Sequence, residues 1–202
     1  MTVRNRKVEQ GEHTRDALVA SAIALFAEKG FADTSTTEIV DRAGITRGAL
    51  YHHFTDKHQL FEAALDAVEG DIFDRVQAAR APLGDDVRRR LAVGVDVFLD
   101  ACLEPAVQRI LLQEAPSVLG WERWQRLDRP RCARRLLATS LGAAVDRGLI
   151  AAPSGPALTH LVYGALVQAG IVIAGAEDPR ATRTILGETA HHLLDSLFRP
   201  EL

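Results

Sequence analysis

The chain is poor in the residues that build catalytic, metal and disulfide-bonded sites. Cys102 and Cys132 are its two cysteines. Neither has a neighbour at metal-ligand spacing, which excludes a dense disulfide framework and reads as two buried free thiols of a cytosolic protein. There is no G-x-S-x-G, no glycine-rich phosphate loop and no carboxylate pair that can be placed in one pocket. The sequence therefore argues against an enzyme and asks for no cofactor. A net positive charge is also missing: the formal balance is −3, so any contact with nucleic acid has to come from a local patch. No segment alternates in the period of two that marks strands. Proline is absent from the first part of the chain, all eight residues lying at Pro82 or later, so early helices run uninterrupted and later ones are punctuated. An apolar signal core is lacking too, since residues 1–10 are polar and basic. The longest apolar run, Leu161–Ala176, contains Tyr163 and Gln168 and reads as short of a membrane span. These features fit a cytoplasmic protein with no membrane partner.

What is present is helical periodicity. A first helix is expected over about Thr14–Lys29, with Leu18, Ala22, Leu25 and Phe26 on one face and Gly30 as its stop. Ser35 and Glu38 form the S-x-x-E spacing of a capping box for a second helix that ends at Ala43–Gly44. Gly44 suits the positive φ of a sharp turn, and Thr46 is placed to cap a short third helix, Arg47–His53. Asp56 opens a fourth helix reaching about Arg80, roughly 35 Å long at ~1.5 Å per residue. Its inner face is Leu60, Phe61, Ala64, Leu65, Val68, Ile72 and Val76. Beyond Pro82–Gly84 a fifth helix carries Val87, Leu91, Val95, Phe98, Leu99 and Cys102 on one side. Glu104–Pro105 opens a sixth, Pro116–Pro130 reads as irregular, and a seventh ends at Arg147–Gly148. Two more span about Pro156–Gly175 and Pro179–Phe198.

The second and third helices, joined by Ala43-Gly44-Ile45-Thr46, have the spacing of a helix-turn-helix. Arg47 can fork onto guanine, Gly48 and Ala49 let the backbone approach base edges, and Thr36, Thr37 and Thr46 offer hydroxyls and helix N-terminal amides to phosphates. Tyr51 and Lys57 suit the flanking backbone. Spacing alone is met equally well by a three-helix packing unit with a polar surface. The motif decides between them. Residues 14–65 resemble the N-terminal domain of TetR-type repressors, most specifically in AGITRGALYHHFTDKHQLF, where the pattern A-G-[IV]-[ST]-x-G-x-[LI]-Y-x-[HY]-F-x-x-K is filled at every fixed position. The resemblance implies base contacts from Arg47, Gly48, Ala49, His52 and Thr37. It implies phosphate contacts from Thr36, Tyr51, His53 and Lys57, with Phe54 in the core. Residues 66–202 resemble the family in architecture, and the segment Arg109–Trp124 looks like one found in a subset of it.

His52 and His53 diverge by about 100° on a helix and share no ion; His191 and His192 fail alike, so no metal is expected. Trp121 and Trp124 read first as core, or else, with Phe98, Cys102, Leu112, Tyr163 and Gln168, as the lining of a mainly apolar ligand cavity. The helix around Leu158–Ala174 lacks a polar stripe, so both its flanks need cover. His160, Leu161, Gly164 and Ala165, with Leu186, Leu193 and Leu197 on the last helix, are the candidate dimer interface, the alternative being ordinary core.

The expected architecture is all-α. A three-helix helix-turn-helix DNA-binding domain (residues 1–55) precedes a ligand-sensing and dimerisation domain (residues 56–202), with about nine helices in all. The expected function is ligand-responsive repression: a homodimer on double-stranded, pseudo-palindromic operator DNA, released by a small, mainly apolar effector.

Overall fold

The computed structural model describes residues 3–120, 124, 130–151 and 154–199, with side chains from residue 9 onward. The fold is all-helical; among the described residues the one extended pairing is an isolated bridge between Ile150 and Phe198. Packing divides the chain into two compact units, residues 1–68 with 109–127, and residues 69–108 with 128–202. The sequence boundary at residue 55 follows the motif, whereas this one follows contacts and falls inside a helix.

In the first unit, α1 (Val3–Asp33) begins well before the expected Thr14. Residues 3–13 lack apolar periodicity, but Arg, Lys, Glu and Gln there are strong helix formers, so the helix starts within the leading basic segment. Gly30, at φ 86° and ψ 171°, breaks the helix where the sequence expects a stop, a conformation open essentially to glycine alone. Helices α2 (Thr36–Ala43), α3 (Arg47–His53) and α4 (Lys57–Arg80) follow with the expected bounds. Leu18, Ala22, Phe26, Ile39, Leu50, Leu60 and Phe61 have no exposed surface, and Phe54 almost none. Phe26, Phe31 and Phe61 meet at centroid distances of 5.3–5.8 Å. Each buried large apolar side chain contributes about 1.5–3 kcal/mol, so this cluster alone outweighs the loss of any one cap.

Residues 107–119 depart from expectation. Val107–Glu114 is wound as a π-helix and runs into α6 (Ala115–Leu119), with Pro116 in its first turn and Gly120 (φ 81°) ending it. The irregular stretch expected from Pro116 is thus helical as far as Leu119, because proline is tolerated where its missing N–H has no partner to lose. Wider winding places residues five apart on one face, and Arg109 Nε pairs with Glu114 Oε1 at 3.2 Å.

The second unit contains α5 (Val87–Ala101), α7 (Ala133–Asp146), α8 (Gly155–Ala174) and α9 (Pro179–Leu197). Asp86, Ser154 and Asp178 cap three of them through backbone amides at 3.0–3.3 Å. Leu91, Val95, Phe98, Leu99, Leu141 and Ile173 form the core. The expectation for the apolar run is corrected on length. As a helix it begins at Gly155 and spans 20 residues, its most apolar 18-residue window has a mean hydropathy of 1.7, and it is long and apolar enough to cross a membrane. Only 22% of its most apolar window is buried, so much of its apolar surface lies open.

Candidate nucleic-acid interface

The reading head is built by local rules. Ser35 caps α2: Glu38 N–H donates to Ser35 Oγ at 3.1 Å, and Ser35 N–H donates back to Glu38 Oε2 at 2.9 Å, the reciprocal pair of a capping box. The Lys29 ammonium bonds the same carboxylate. Lys29 first, then the Ser35 amide and hydroxyl, hold the Glu38 carboxyl down to about 2. At the other end Gly44 sits at φ 65°, ψ 32°, with nothing within 4 Å of where a Cβ would stand. Its value is therefore backbone freedom rather than space. The Gly44 and Ile45 amides donate to the Asp41 and Val40 carbonyls at 3.2 and 3.0 Å, satisfying the end of α2 and turning the chain.

Thr46 caps α3, its Oγ1 accepting from Ala49 N–H at 3.3 Å, which leaves the hydroxyl hydrogen free for an external oxygen. Leu50 and Phe54 anchor α3 inward. Arg47, Gly48, Tyr51 and His52 are exposed along the opposite stripe, with Thr37 and Thr46 exposed beside it; Thr36, Ala49 and His53 are half-buried. The Arg47 guanidinium lies 5.7 Å from the centroid of the Tyr51 ring. Hydrogen bonds from Arg47, and next Thr36, lower the Tyr51 phenol from its usual range. Three residues expected at DNA, the exposed Arg47 and Tyr51 and the half-buried Thr36, thus already form one polar cluster.

Lys57 is placed differently. Its ammonium donates to the carbonyls of Phe31 and Thr34 at 2.7 and 2.9 Å, and lies 4.3 Å from the Phe31 ring centroid. Expected at a flanking phosphate, its charge instead closes the carbonyl end of α1 inside the head. A lysine after F-x-x in the motif carries no sequence signal that separates the two uses.

In the second unit Phe98 and Tyr163, with Val76, Leu91, Val95 and Leu166, line a cavity of about 30 Å³. The other described residues expected to line one are elsewhere. Cys102 is buried off its wall, Gln168 is exposed on the outer face of α8, and Leu112 and Trp124 belong to the first unit. Trp121 lies outside the described residues. Burial first raises both thiols, Cys102 and Cys132, to about 12, assisted by Glu104 and Glu69 respectively. Of the expected lining only Phe98 and Tyr163 are on this wall; among the lining residues outside that expectation Arg80 is the charged one, and it continues the i, i+4 stripe Ile72–Val76.

Of the expected interface residues, His160, Leu161, Gly164, Ala165 and Leu193 are exposed, and Leu186 and Leu197 half-buried. Leu161 is 74% exposed, Ile185 63% and Leu193 60%. Ile185, Ile171 and Val172 extend this apolar face and were missed, although Leu161, Gln168 and Val172 share its helical spacing.

Two family descriptions match the chain: "Bacterial regulatory proteins, tetR family" over residues 18–64, and "Tetracyclin repressor-like, C-terminal domain" over residues 88–197. Among solved structures, a TetR-family transcriptional regulator from Pectobacterium atrosepticum is 32% identical, covering 96% of this chain and 98% of its own, with a TM-score of 0.73. RolR in complex with resorcinol shares the fold at 20% identity and a TM-score of 0.65, covering 96% and 98%. Among curated relatives, the Tn10 TetC protein of Escherichia coli is 29% identical over 63% of this chain and 64% of its own length. The transcriptional regulator TtgR of Pseudomonas putida is 33% identical over 48% of each. The chain thus spans about half to two thirds of the length of these two curated relatives.

Proposed function

Because the chain belongs to the tetR family of bacterial regulatory proteins, we propose that this transcriptional regulator is a ligand-responsive repressor that binds a pseudo-palindromic operator as a homodimer. The observation that carries the reading is α3 itself. Its apolar side is locked by Leu50 and Phe54, and its outer stripe presents Arg47, Gly48, Tyr51 and His52 to solvent. Arg47 reads a guanine edge, Gly48 and Ala49 allow close backbone approach, and His52 and Thr37 reach neighbouring bases. Thr36, Thr46, Tyr51 and His53 hold phosphates. Lys57 acts indirectly, by bracing α1 against the start of α4.

A second copy covers the open apolar face of α8 and α9, forming a four-helix interface that sets two α3 helices about one DNA turn apart, or a small multiple of it. This cover suits a cytoplasmic protein better than a bilayer does, since α8 is one isolated span with its other side packed on α5, α7 and α9. A small, mainly apolar effector enters the cavity of the helical body. Helix α4 contributes residues to both units, so a shift in it changes the separation of the heads. Coupling of roughly 1–3 kcal/mol changes operator occupancy many-fold.

The test is a salt titration of full-length protein on the duplex upstream of its own gene, against a scrambled duplex. The reading expects a steep fall of affinity with salt and a preference of about 10³-fold or more for the upstream sequence. Equal affinity for both duplexes, with Arg47→Ala affecting both alike, would remove the base-reading role.

A further inference from the structure

One cavity of the body has an apolar wall with one cation in it. Val76, Leu91, Val95, Phe98 and Leu166 line it beside Arg80, a side chain 5% exposed. The Arg80 Nε donates to the Arg90 carbonyl at 2.8 Å. Among the described residues no carboxylate lies within ion-pair distance of its guanidinium. The charge that acts on it is the like charge of Arg90, and burial first, with Arg90 second, lowers Arg80 to about 10. Buried cations are ordinarily paired, because desolvation penalises an ion that lacks a counter-charge. The C-terminal dipole of α4 offsets a part of that penalty and no more.

The site is also shaped for the guanidinium. A Cβ at Gly94, on the cavity wall, would stand 2.6 Å from Arg80 Nη2 and 3.3 Å from Cζ. Glycine there lets the planar group lie against the backbone of α5. A fork of donors in an apolar chamber matches a carboxylate on an apolar body. A phosphate ester suits it less well, because its charge of about −1.5 to −2 exceeds what one guanidinium neutralises.

We infer that the effector is a small apolar monocarboxylate whose carboxylate pairs with Arg80 in the chamber between α4, α5, α7 and α8. This rests on the reading of the body as a ligand sensor and adds the ligand's class. At about 30 Å³ the chamber holds one water-sized group. An alkyl or aryl tail therefore has to displace wall side chains, and ligand entry and movement of α4 become the same event.

The test uses full-length protein at pH 7 with hexanoate, benzoate and their neutral amides, read by calorimetric titration and thermal unfolding. At least one acid binds saturably, one per chain, and raises Tm, while its amide binds at least roughly 10-fold more weakly. Arg80→Met removes that preference and leaves Tm unchanged or higher, since a desolvated ion has been replaced by an apolar isostere. Equal binding of acid and amide, binding of neither, or acid binding that survives Arg80→Met each overturns the inference. Should Arg80→Met fail to fold, the acid–amide comparison in the wild-type protein decides it. Operator release separates the two proposals. An acid bound through Arg80 that leaves operator affinity unchanged keeps Arg80 as a carboxylate site but contradicts the ligand-responsive reading on which its role as effector rests, whereas release by neutral compounds alone keeps that reading and overturns the ligand class.

Discussion

The Glu114 carboxylate accepts the backbone N–H of Phe31 at 2.7 Å across 83 residues of sequence, tying the π-wound segment to the broken end of α1. Arg109 completes the tie, pairing with Glu114 at 3.2 Å and donating to the Lys29 carbonyl at 3.3 Å. Gly30 sits beneath both, and a Cβ there would stand 2.6 Å from Arg109 Nη2. The head is thus fastened by a segment that the motif does not include. Glu114→Ala leaves the Phe31 amide without its partner and should lower stability by about 1.5–3 kcal/mol. Glu114→Gln, which keeps an acceptor, should lose less. Thermal unfolding of the two variants checks the order.

Lys57→Met removes three carbonyl contacts and one cation–π contact from the interior of the head. It should lower Tm and weaken all duplexes alike, while the slope of log affinity against log salt stays as in the wild type. A direct phosphate contact would instead flatten that slope by about 0.9. Comparing the two slopes distinguishes a brace from a contact.

The capping box makes the head sensitive to acid. The Glu38 carboxyl is held down to about 2 from 4.5. A depressed carboxyl contributes stability that is complete above its unfolded value and lost as pH falls through the folded one. Glu38→Ala should therefore lower Tm at pH 7, and the gap between variant and wild type should close between about pH 4.5 and pH 2. Melting curves across that range measure it.

The dimer proposal rests on the open face of α8 and α9. Leu161→Glu with Ile185→Glu places charge on the two most exposed of its large apolar residues. In a dimer interface this should yield monomers by sedimentation, with folded helix content retained and operator affinity largely lost. A variant that sediments as the wild type does would place the dimer contact elsewhere.

The head was legible because its signals are local. Ser35 with Glu38, Gly44, and Thr46 before Arg47 each fix a boundary within four residues, and the structure keeps all of them. Helix α1 was read too short, because periodicity reports burial and residues 3–13 have no apolar stripe to report. The π winding at Val107–Glu114 was not legible, and the groups that Glu114 and Arg109 bond, the Phe31 amide and the Lys29 carbonyl, are remote in sequence. Gln168 illustrates a different limit. A nearly all-apolar helix does not say which of its sides faces inward, and Gln168 shares the exposed side with Leu161. Arg80 is legible in the sequence as a charged residue in register with the buried stripe of Ile72 and Val76.

The central claim, that the backbone of α3 comes close against base edges, meets its most direct test in Gly48→Ala. In the free protein nothing lies within 4 Å of the added methyl, and alanine is the better helix former by about 1 kcal/mol. The variant should melt higher and bind the upstream duplex more weakly, stability and affinity moving in opposite directions. Operator affinity equal to or above that of the wild type, in a protein so stabilised, would contradict the account.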